Sequence, residues 1–336
     1  MLIQSGKRSP APPWGAGDER GMANTLGPIT LTRCAWHMAQ PRAQIYEASF
    51  SAQQHDAKSP FASPAGTQYK ATSGVPFSAH AFNSEVMQAN AEPGQQGTQI
   101  DALGHFAYIS KPWDPKDPFP ADEAKYYGGY TQKDVKPTPD SPLLKMGIDK
   151  IPPLITSAVL LDARALVGKG QALSDGQLVT AANIEAMLKA QGLEQRGVLP
   201  GDMVWIYTGW SDRWKDPAEE NGYYAMAPGL SVDAANWLGA KRVVAVGLDT
   251  PFIDAVPGGM LQGKAPPAAG TLPGLPFAIH HTLITQFGIH HLENLNLAAM
   301  AKDKVWTSCA MVLPSRDLGA ASAAIRPVAV GVPNQF

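Results

Sequence analysis

Apolar runs of strand length alternate with stretches of helical period along the second half of the chain. "SAVLLDA" (157–163) is a short, continuous apolar run of the kind that is buried on both faces of a sheet. "TAANIEAMLKAQG" (180–192) changes period: Ile184, Met187 and Leu188 recur at helical spacing, Thr180 supplies an N-cap and Gly192 a stop. "GDMVWIYTGW" (201–210) predicts a strand and turn, "SVDAANWLGA" (231–240) a helix capped by Ser231, and "RVVAVGLDT" (242–250) a buried strand. "IHHTLITQFG" (279–288) reads as a helix that ends at Gly288, and "IHHLENLNL" (289–297) as a strand directly after it. "VWTSCAMVLP" (305–314) and "IRPVAVG" (325–331) are late strands. Strands alternating with helices from about residue 157 onward argue for an α/β domain.

The first half is less periodic. Residues 1–30 read as an extended arm rich in Pro and Gly, followed by a short helix over "LTRCAWHMA" (31–39) with Thr30 as N-cap and a strand over "AQIYEASF" (43–50). Residues 107–153 form a proline-rich loop insertion with little regular structure. The 32 Gly and 30 Pro mean many turns and long connections, and long loops in an enzyme commonly build the substrate pocket. Nothing marks a linker or a repeat, so residues 1–336 are read as one domain.

Composition narrows the function classes. A chain of 336 residues with 44% hydrophobic and 17% charged residues is globular rather than disordered. A formal net charge of -2 offers no basic face for phosphates, which argues against nucleic acid as a partner. No run approaches the roughly 18–20 apolar residues of a membrane span, and "MLIQSGKRSPAPPWGAGDERG" lacks the apolar core of a signal peptide. The expected location is the cytoplasm, with no membrane partner. Cys34 and Cys309 lie far apart in sequence and are expected to be separate, buried small hydrophobes.

Two stretches hold candidate chemistry. In "GQQGTQIDALGHF" (94–106), Asp101 and His105 are four apart, so a helical turn would place them on one face. They read either as a metal-ligating Asp with a His beside it, or as a helix cap with a core histidine. "HHTLITQFGIHHLENLNL" (280–297) holds four His and one Glu; His280 or His281 with Glu293 would complete a mixed N/O metal site, or the stretch is a surface helix with histidines. Trp14, Phe106, Tyr108 and Trp210 are candidates to wall an apolar pocket, or else core aromatics. Asp249 in "GLDT" sits at a strand's C-terminal end, as a site residue or a turn residue. There is no nucleophile elbow, P-loop or dinucleotide-binding glycine pattern.

The first stretch resembles the signature His-x-Gly-Thr-His-x-Asp-x-Pro-x-His of the metal-dependent cyclase-like hydrolases, the group that includes bacterial kynurenine formamidase and isatin hydrolase. Here Gly97, Thr98, Asp101 and His105 match, Gln95 and Gln99 stand at the two earlier His positions, and Leu103 stands at the Pro. That family's second half is a His followed twelve residues later by Glu or Gln, a spacing met by His281 and Glu293. "WGAGDERGMANTLGP", "LLDARAL", "LPGDMVWIYTGW", "PGLSVDAANWL", "VVAVGLDT" and "GIHHLENLNL" extend the resemblance over roughly residues 12–331.

The resemblance implies a swivelling β/β/α-type single domain, a mixed curved sheet packed against helices, assembled as a homodimer or homotetramer. It implies hydrolysis of an amide-type C–N bond, or a lactone or ester, in a small cyclic or aryl molecule. Asp101, His281 and Glu293 would be metal ligands and His105 the general base and acid. With two imidazoles replaced by amides, the expectation is one divalent ion, Mn²⁺ or Zn²⁺, with Gln99 as a ligand or a donor behind it. Trp14, Phe106, Trp210 and Gln95 would lie around the substrate. A small-ligand binding module, or a cyclase or dehydratase on the same scaffold, is the alternative.

Overall fold

The runs that bury both faces form the middle of one sheet. The computed structural model describes residues 13–51, 65–74, 76–89, 97–214 and 222–334. In chain order its strands are β1 (Gln44–Glu47), β2 (Ala65–Tyr69), β3 (Ser73–Gly74), β4 (Ala81–Phe82), β5 (Glu85–Ala89), β6 (Gln99–Asp101), β7 (Leu154–Asp162), β8 (Leu178–Val179), β9 (Met203–Tyr207), β10 (Gly229–Leu230), β11 (Ala245–Leu248), β12 (His290–Glu293), β13 (Thr307–Val312), β14 (Ser322–Ala324) and β15 (Val328–Gly331). The helices are α1 (Pro28–Met38), α2 (Gln132–Val135), α3 (Ala163–Leu166), α4 (Ala181–Ala190), α5 (Val232–Lys241), α6 (Ala278–His280) and α7 (Ala298–Lys302).

Nine strands share a mixed, curved sheet in the order β1-β15-β13-β7-β9-β11-β12-β6-β14. β7, β9, β11 and β12 run parallel, and β6 lies antiparallel between β12 and β14. The parallel strands are the apolar runs, because crossover helices and loops cover both of their faces. On one face Val159, Leu161, Val204, Ile206, Val246 and Leu248 pack against Ile184, Met187 and Leu188 of α4 and Ala234, Ala235 and Leu238 of α5. On the other, Leu160, Trp205, Leu292 and Ile100 join Leu295, Leu297 and Met300. The α/β expectation of one mixed, curved sheet against helices therefore holds.

α4 and α5 begin where expected: the Thr180 and Ser231 side chains accept from Asn183 N and Ala234 N. α1 begins earlier than expected. Pro28 takes the first helical position, where its missing N–H costs nothing. Thr30 is three positions inside the cap, and its hydroxyl accepts from Gly27 N at 2.9 Å. The N-terminal stretch also contains a 3-10 turn, Gly21–Thr25, so the extended arm ends before residue 21; residues 1–12 lie outside the described residues.

The cysteines depart from expectation. Cys34 on α1 and Cys309 on β13 form a disulfide that spans 275 residues of sequence. Both are buried, as expected, but α1 lies across β13 and β7, which brings them together. Residues 107–153 hold only α2 and single 3-10 turns as helix, yet they are packed: Tyr127, Val135, Met146 and Ile148 are buried. Leu143 N donates to Gly319 O at 2.9 Å and Ile148 N to Ala320 O at 2.8 Å, which fastens this segment beside β14.

Candidate metal centre

Gly97 and Thr98 lead into β6, and both are tied to Asn294 at the end of β12. Gly97 has φ +77°, a conformation that favours glycine. Its carbonyl accepts from Asn294 Nδ2 at 2.7 Å, and Thr98 Oγ1 donates to Asn294 O at 2.6 Å. This clamp sets the register of the two strands: His291 stands opposite Asp101, and Glu293 opposite Gln99. Side chains alternate along a strand, so these four project from one face while Ile100 and Leu292 project from the other into the core.

His280 comes down onto that face from α6. Ligand atoms of Asp101, His280, His291 and Glu293 all lie within 4.8 Å of one another, and all four residues are buried. His280 Nε2 is 3.7 Å from Asp101 Oδ2 and 3.6 Å from Glu293 Oε1. Its other nitrogen, Nδ1, lies 2.5 Å from Asp254 Oδ2. Asp254 also accepts from the backbone N–H groups of Ile279, at 2.7 Å, and His280, at 3.2 Å. One carboxylate thus holds both the start of α6 and the ring of its histidine, and leaves Nε2 facing the acids.

His281 is not in this group. Its ring lies 4.8 Å from that of Tyr108, its Nε2 is 3.2 Å from Gln286 Nε2, and burial pushes its pKa down to about 4. The reason is the winding of the segment between the histidines and β12. His281–Phe287 is a π-helix, which takes up more residues per turn than an α-helix. A spacing of twelve from Glu293 therefore falls one residue late, and His280, thirteen before it, faces the strands.

His105 reaches the site by another route than a shared helical face. Asp101 ends β6, and His105 ends a 3-10 turn, Leu103–His105. That turn presses against residues 143–146: Gly104 N donates to Met146 O at 3.0 Å, and a Cβ on Gly104 would come within 2.8 Å of Leu143 Cδ1. The His105 ring centroid is 6.1 Å from that of His280. Gln99 donates its side-chain N–H to Glu293 Oε2 at 2.9 Å.

Two carboxylates in a buried site cannot both be comfortable as anions. Burial pushes the Glu293 carboxyl well up, and the Asp101 charge adds to it. Burial acts the same way on Asp101, but the charge of His105 and the hydrogen bond and charge of His280 outweigh it and hold that carboxyl low. Burial would lower His280, but its bonds to Asp101 and Asp254 raise it well above the ordinary value. Burial and the neighbouring His280 charge push His291 well below its ordinary value. The His291 ring is thus a neutral donor, and among the described residues neither of its buried nitrogens has a hydrogen-bond partner. A buried imidazole without partners, facing two carboxylates and a second imidazole, is a mixed N/O donor set that fits a divalent cation.

A cleft of about 690 Å³, lined by residues 106–113 and 272–277, opens beside the group. Phe106 and Phe277 line it, and their rings lie 4.8 and 5.9 Å from that of His280. Of the other expected pocket residues, Trp210 is fully buried among Tyr223, Tyr224 and Phe252, with the Arg213 guanidinium 3.8 Å from its ring. Trp14 packs on the helical face near α5, with the Arg242 guanidinium 5.1 Å from its ring. Neither lines the cleft. Gln95 lies outside the described residues. Asp249 is a turn residue: its carboxylate ties the segment after β9 to the end of β11.

A family model described as putative cyclase matches residues 29–255. Among solved structures, a novel cyclase superposes with a TM-score of 0.74 at 22% identity, over 94% of this chain and 97% of that one. Isatin hydrolase A from Ralstonia solanacearum gives 0.54 at 19% identity, over 91% and 98%. An isatin hydrolase bound to the product analogue thioisatinate gives 0.54 at 16%, over 91% and 98%. At these identities the likeness is one of fold. No curated protein matches the chain.

Proposed function

The chain belongs to the putative cyclase family, and from that premise we propose that it is a metal-dependent hydrolase. Its substrate in this reading is a small cyclic or aryl molecule carrying an amide-type C–N, lactone or ester bond. The observation that carries the reading is the convergence of Asp101, His280, His291 and Glu293 on one buried point. The description of two structural neighbours as isatin hydrolases supports it at the level of reaction class.

The four residues would hold one divalent ion, Mn²⁺ or Zn²⁺, with oxygen and nitrogen donors in equal number. His280 takes the place that spacing gave to His281, and His291 supplies a second imidazole from the neighbouring strand. Such an ion, when bound, lowers the pKa of a water and polarises a carbonyl. Gln99 steadies the Glu293 carboxylate through its amide N–H. Asp254 fixes the ring of His280. His105 takes a proton from the attacking water and returns it to the leaving nitrogen or oxygen. Phe106, Tyr108 and Phe277 give the acyl body an apolar wall in the adjoining cleft and keep bulk water from it.

The working unit in this proposal is a homodimer or homotetramer. Among the described residues no helix is long and apolar enough to cross a membrane. The cytoplasm was the expected location, but the Cys34–Cys309 disulfide favours an oxidising compartment. Counting free thiols in freshly isolated protein before and after reduction distinguishes the two.

The function is tested with a panel of cyclic amides, lactones and aryl esters. Turnover of at least one, abolished by a chelator and restored by Mn²⁺ or Zn²⁺, is the expected result. Protein that binds such molecules equally well after chelation and never turns them over is a binding module, and the reading fails.

A further inference from the structure

The cleft beside the quartet is walled by apolar groups and holds a single charge. Phe106, Tyr108 and Trp113 stand on one wall, Leu275 and Phe277 on the other, and Lys111 is the one charged residue among the described residues that line it. Lys111 is exposed, and among the described residues no carboxylate forms an ion pair with it. The acids of its own loop are turned to other partners: Glu123 accepts from Ser110 Oγ, and Asp114 from Lys116 N at 3.0 Å. Both walls are set before a ligand arrives. Tyr108 N donates to Lys125 O and Lys125 N to Tyr108 O, each at 2.8 Å, and Trp113 Nε1 donates to Asp117 O at 2.9 Å. Opposite, Leu275 N donates to Leu272 O at 3.0 Å around Pro273 and Gly274, and Gly274 has φ +77°, the pattern of a type II turn. The walls touch beside Lys111, where a Cβ on Gly274 would come within 2.9 Å of Pro112 Cγ. Lys111 is five residues from Phe106, whose ring lies 4.8 Å from that of His280. Five extended residues reach at most about 17 Å.

We propose that the substrate is an anionic molecule, with an apolar aryl or alkyl body, its labile bond at the quartet and a carboxylate at its far end paired with Lys111. This rests on the hydrolase reading of the quartet and narrows its substrate class. The cleft, at about 690 Å³, has the size of pockets that take drug-sized ligands, so both ends are accommodated at once. No acid lines it to repel a carboxylate. One ammonium answers one negative charge, whereas a phosphate dianion calls for an Arg or a second cation that this lining does not offer. Apolar walls also reduce the solvent screening of the Lys111 charge, which strengthens its attraction for an anion.

Isothermal titration calorimetry of the full chain with 4-phenylbutyrate and its neutral counterpart 4-phenylbutan-1-ol reads the charge preference without turnover. The wild type is expected to bind the acid about 5-fold more tightly than the alcohol at low salt. In Lys111→Met that ratio should fall to near one, and in Lys111→Glu it should reverse. The variants separate pairing with Lys111 from a carboxylate bound to the ion. On any panel ester or amide that turns over, a carboxylate at the far end should lower KM rather than raise kcat. Equal binding of acid and alcohol by the wild type, binding of neither, or a preference that survives in Lys111→Met overturns the proposal. Hydrolysis without a charge preference sinks this proposal alone. A charge preference without hydrolysis of any panel compound sinks the hydrolase reading alone.

Discussion

Asp249 and Glu293 are buried carboxylates at the C-terminal ends of neighbouring parallel strands, and their surroundings are opposite in kind. Asp249 is saturated. It accepts from Thr208 N at 2.8 Å and Thr208 Oγ1 at 2.6 Å, from Gly209 N at 2.9 Å, and from Ser211 Oγ at 2.9 Å and Ser211 N at 3.3 Å. Glu293 accepts from Gln99 Nε2 at 2.9 Å and Ile253 N at 3.1 Å, and then faces Asp101 and His280. A carboxylate wrapped in backbone and hydroxyl donors has its charge answered by the protein and holds a turn together. A carboxylate set against another carboxylate and two imidazoles has been left for something else to answer. Burial alone does not mark a site; the supply of donors around the buried charge does.

The comparison breaks most sharply at His105. Under the proposed chemistry, His105→Ala should keep the fold and the ion and lose turnover by ~10²–10⁴-fold. Steady-state kinetics on any substrate found in the panel read this, and near-full activity would remove His105 from its role. Asp249→Ala should do the reverse. It leaves several buried donors unanswered and should lower stability by about 3 kcal/mol in denaturant unfolding, while the quartet still binds its ion.

A third buried group gives a pH signature on the saturated side. His37 lies near Arg196 and Asp202, and burial first, then the Arg196 charge, lowers its pKa to about 4. The folded value lies below the unfolded one. Its contribution to stability is therefore complete above the ordinary histidine value of about 6.5 and is lost as pH falls from there toward about 4. Unfolding followed across that window should show stability dropping with acid, and His37→Gln should flatten this part of the curve. An unchanged slope in the variant would assign the proton uptake elsewhere.

The smallest effect has the most informative sign. Glu293→Gln removes one of two facing carboxylates, so the ion-free protein should become more stable by about 1 kcal/mol even as ion affinity falls. Loss of stability in the ion-free variant would mean that Glu293 is a structural residue like Asp249.

How far the sequence foretold these regions depends on the range of the forces involved. β7, α4 and α5 were legible because their periodicity and caps are local properties of a few residues. β6 was hidden: three residues between Gly97 and a 3-10 turn carry no period, so Asp101 and His105 read as a helical pair. That His280 rather than His281 comes within reach of Asp101 and Glu293 was invisible, because α-helical and π-helical winding share the same residue pattern. Asp254 has no local signal at all in "PFIDAVPGG", since its partners lie twenty-five residues on. His291 was visible as a histidine, but its place beside Asp101 follows only from strand register. The Cys34–Cys309 pairing likewise depends on how α1 crosses the sheet. Asp101, His105 and Glu293 were legible as candidates through resemblance, and Gln99 as the departure from it.

Central to the proposed function is that Asp101, His280, His291 and Glu293 together hold one divalent ion. Metal analysis of protein equilibrated with Mn²⁺ or Zn²⁺ and then dialysed tests it most directly, with Asp101→Ala alongside. The prediction is one tightly bound ion per wild-type chain and none in the variant, whose lost carboxylate supplied charge to the site. Two tightly bound ions per chain, none at all, or one that survives in Asp101→Ala would contradict it.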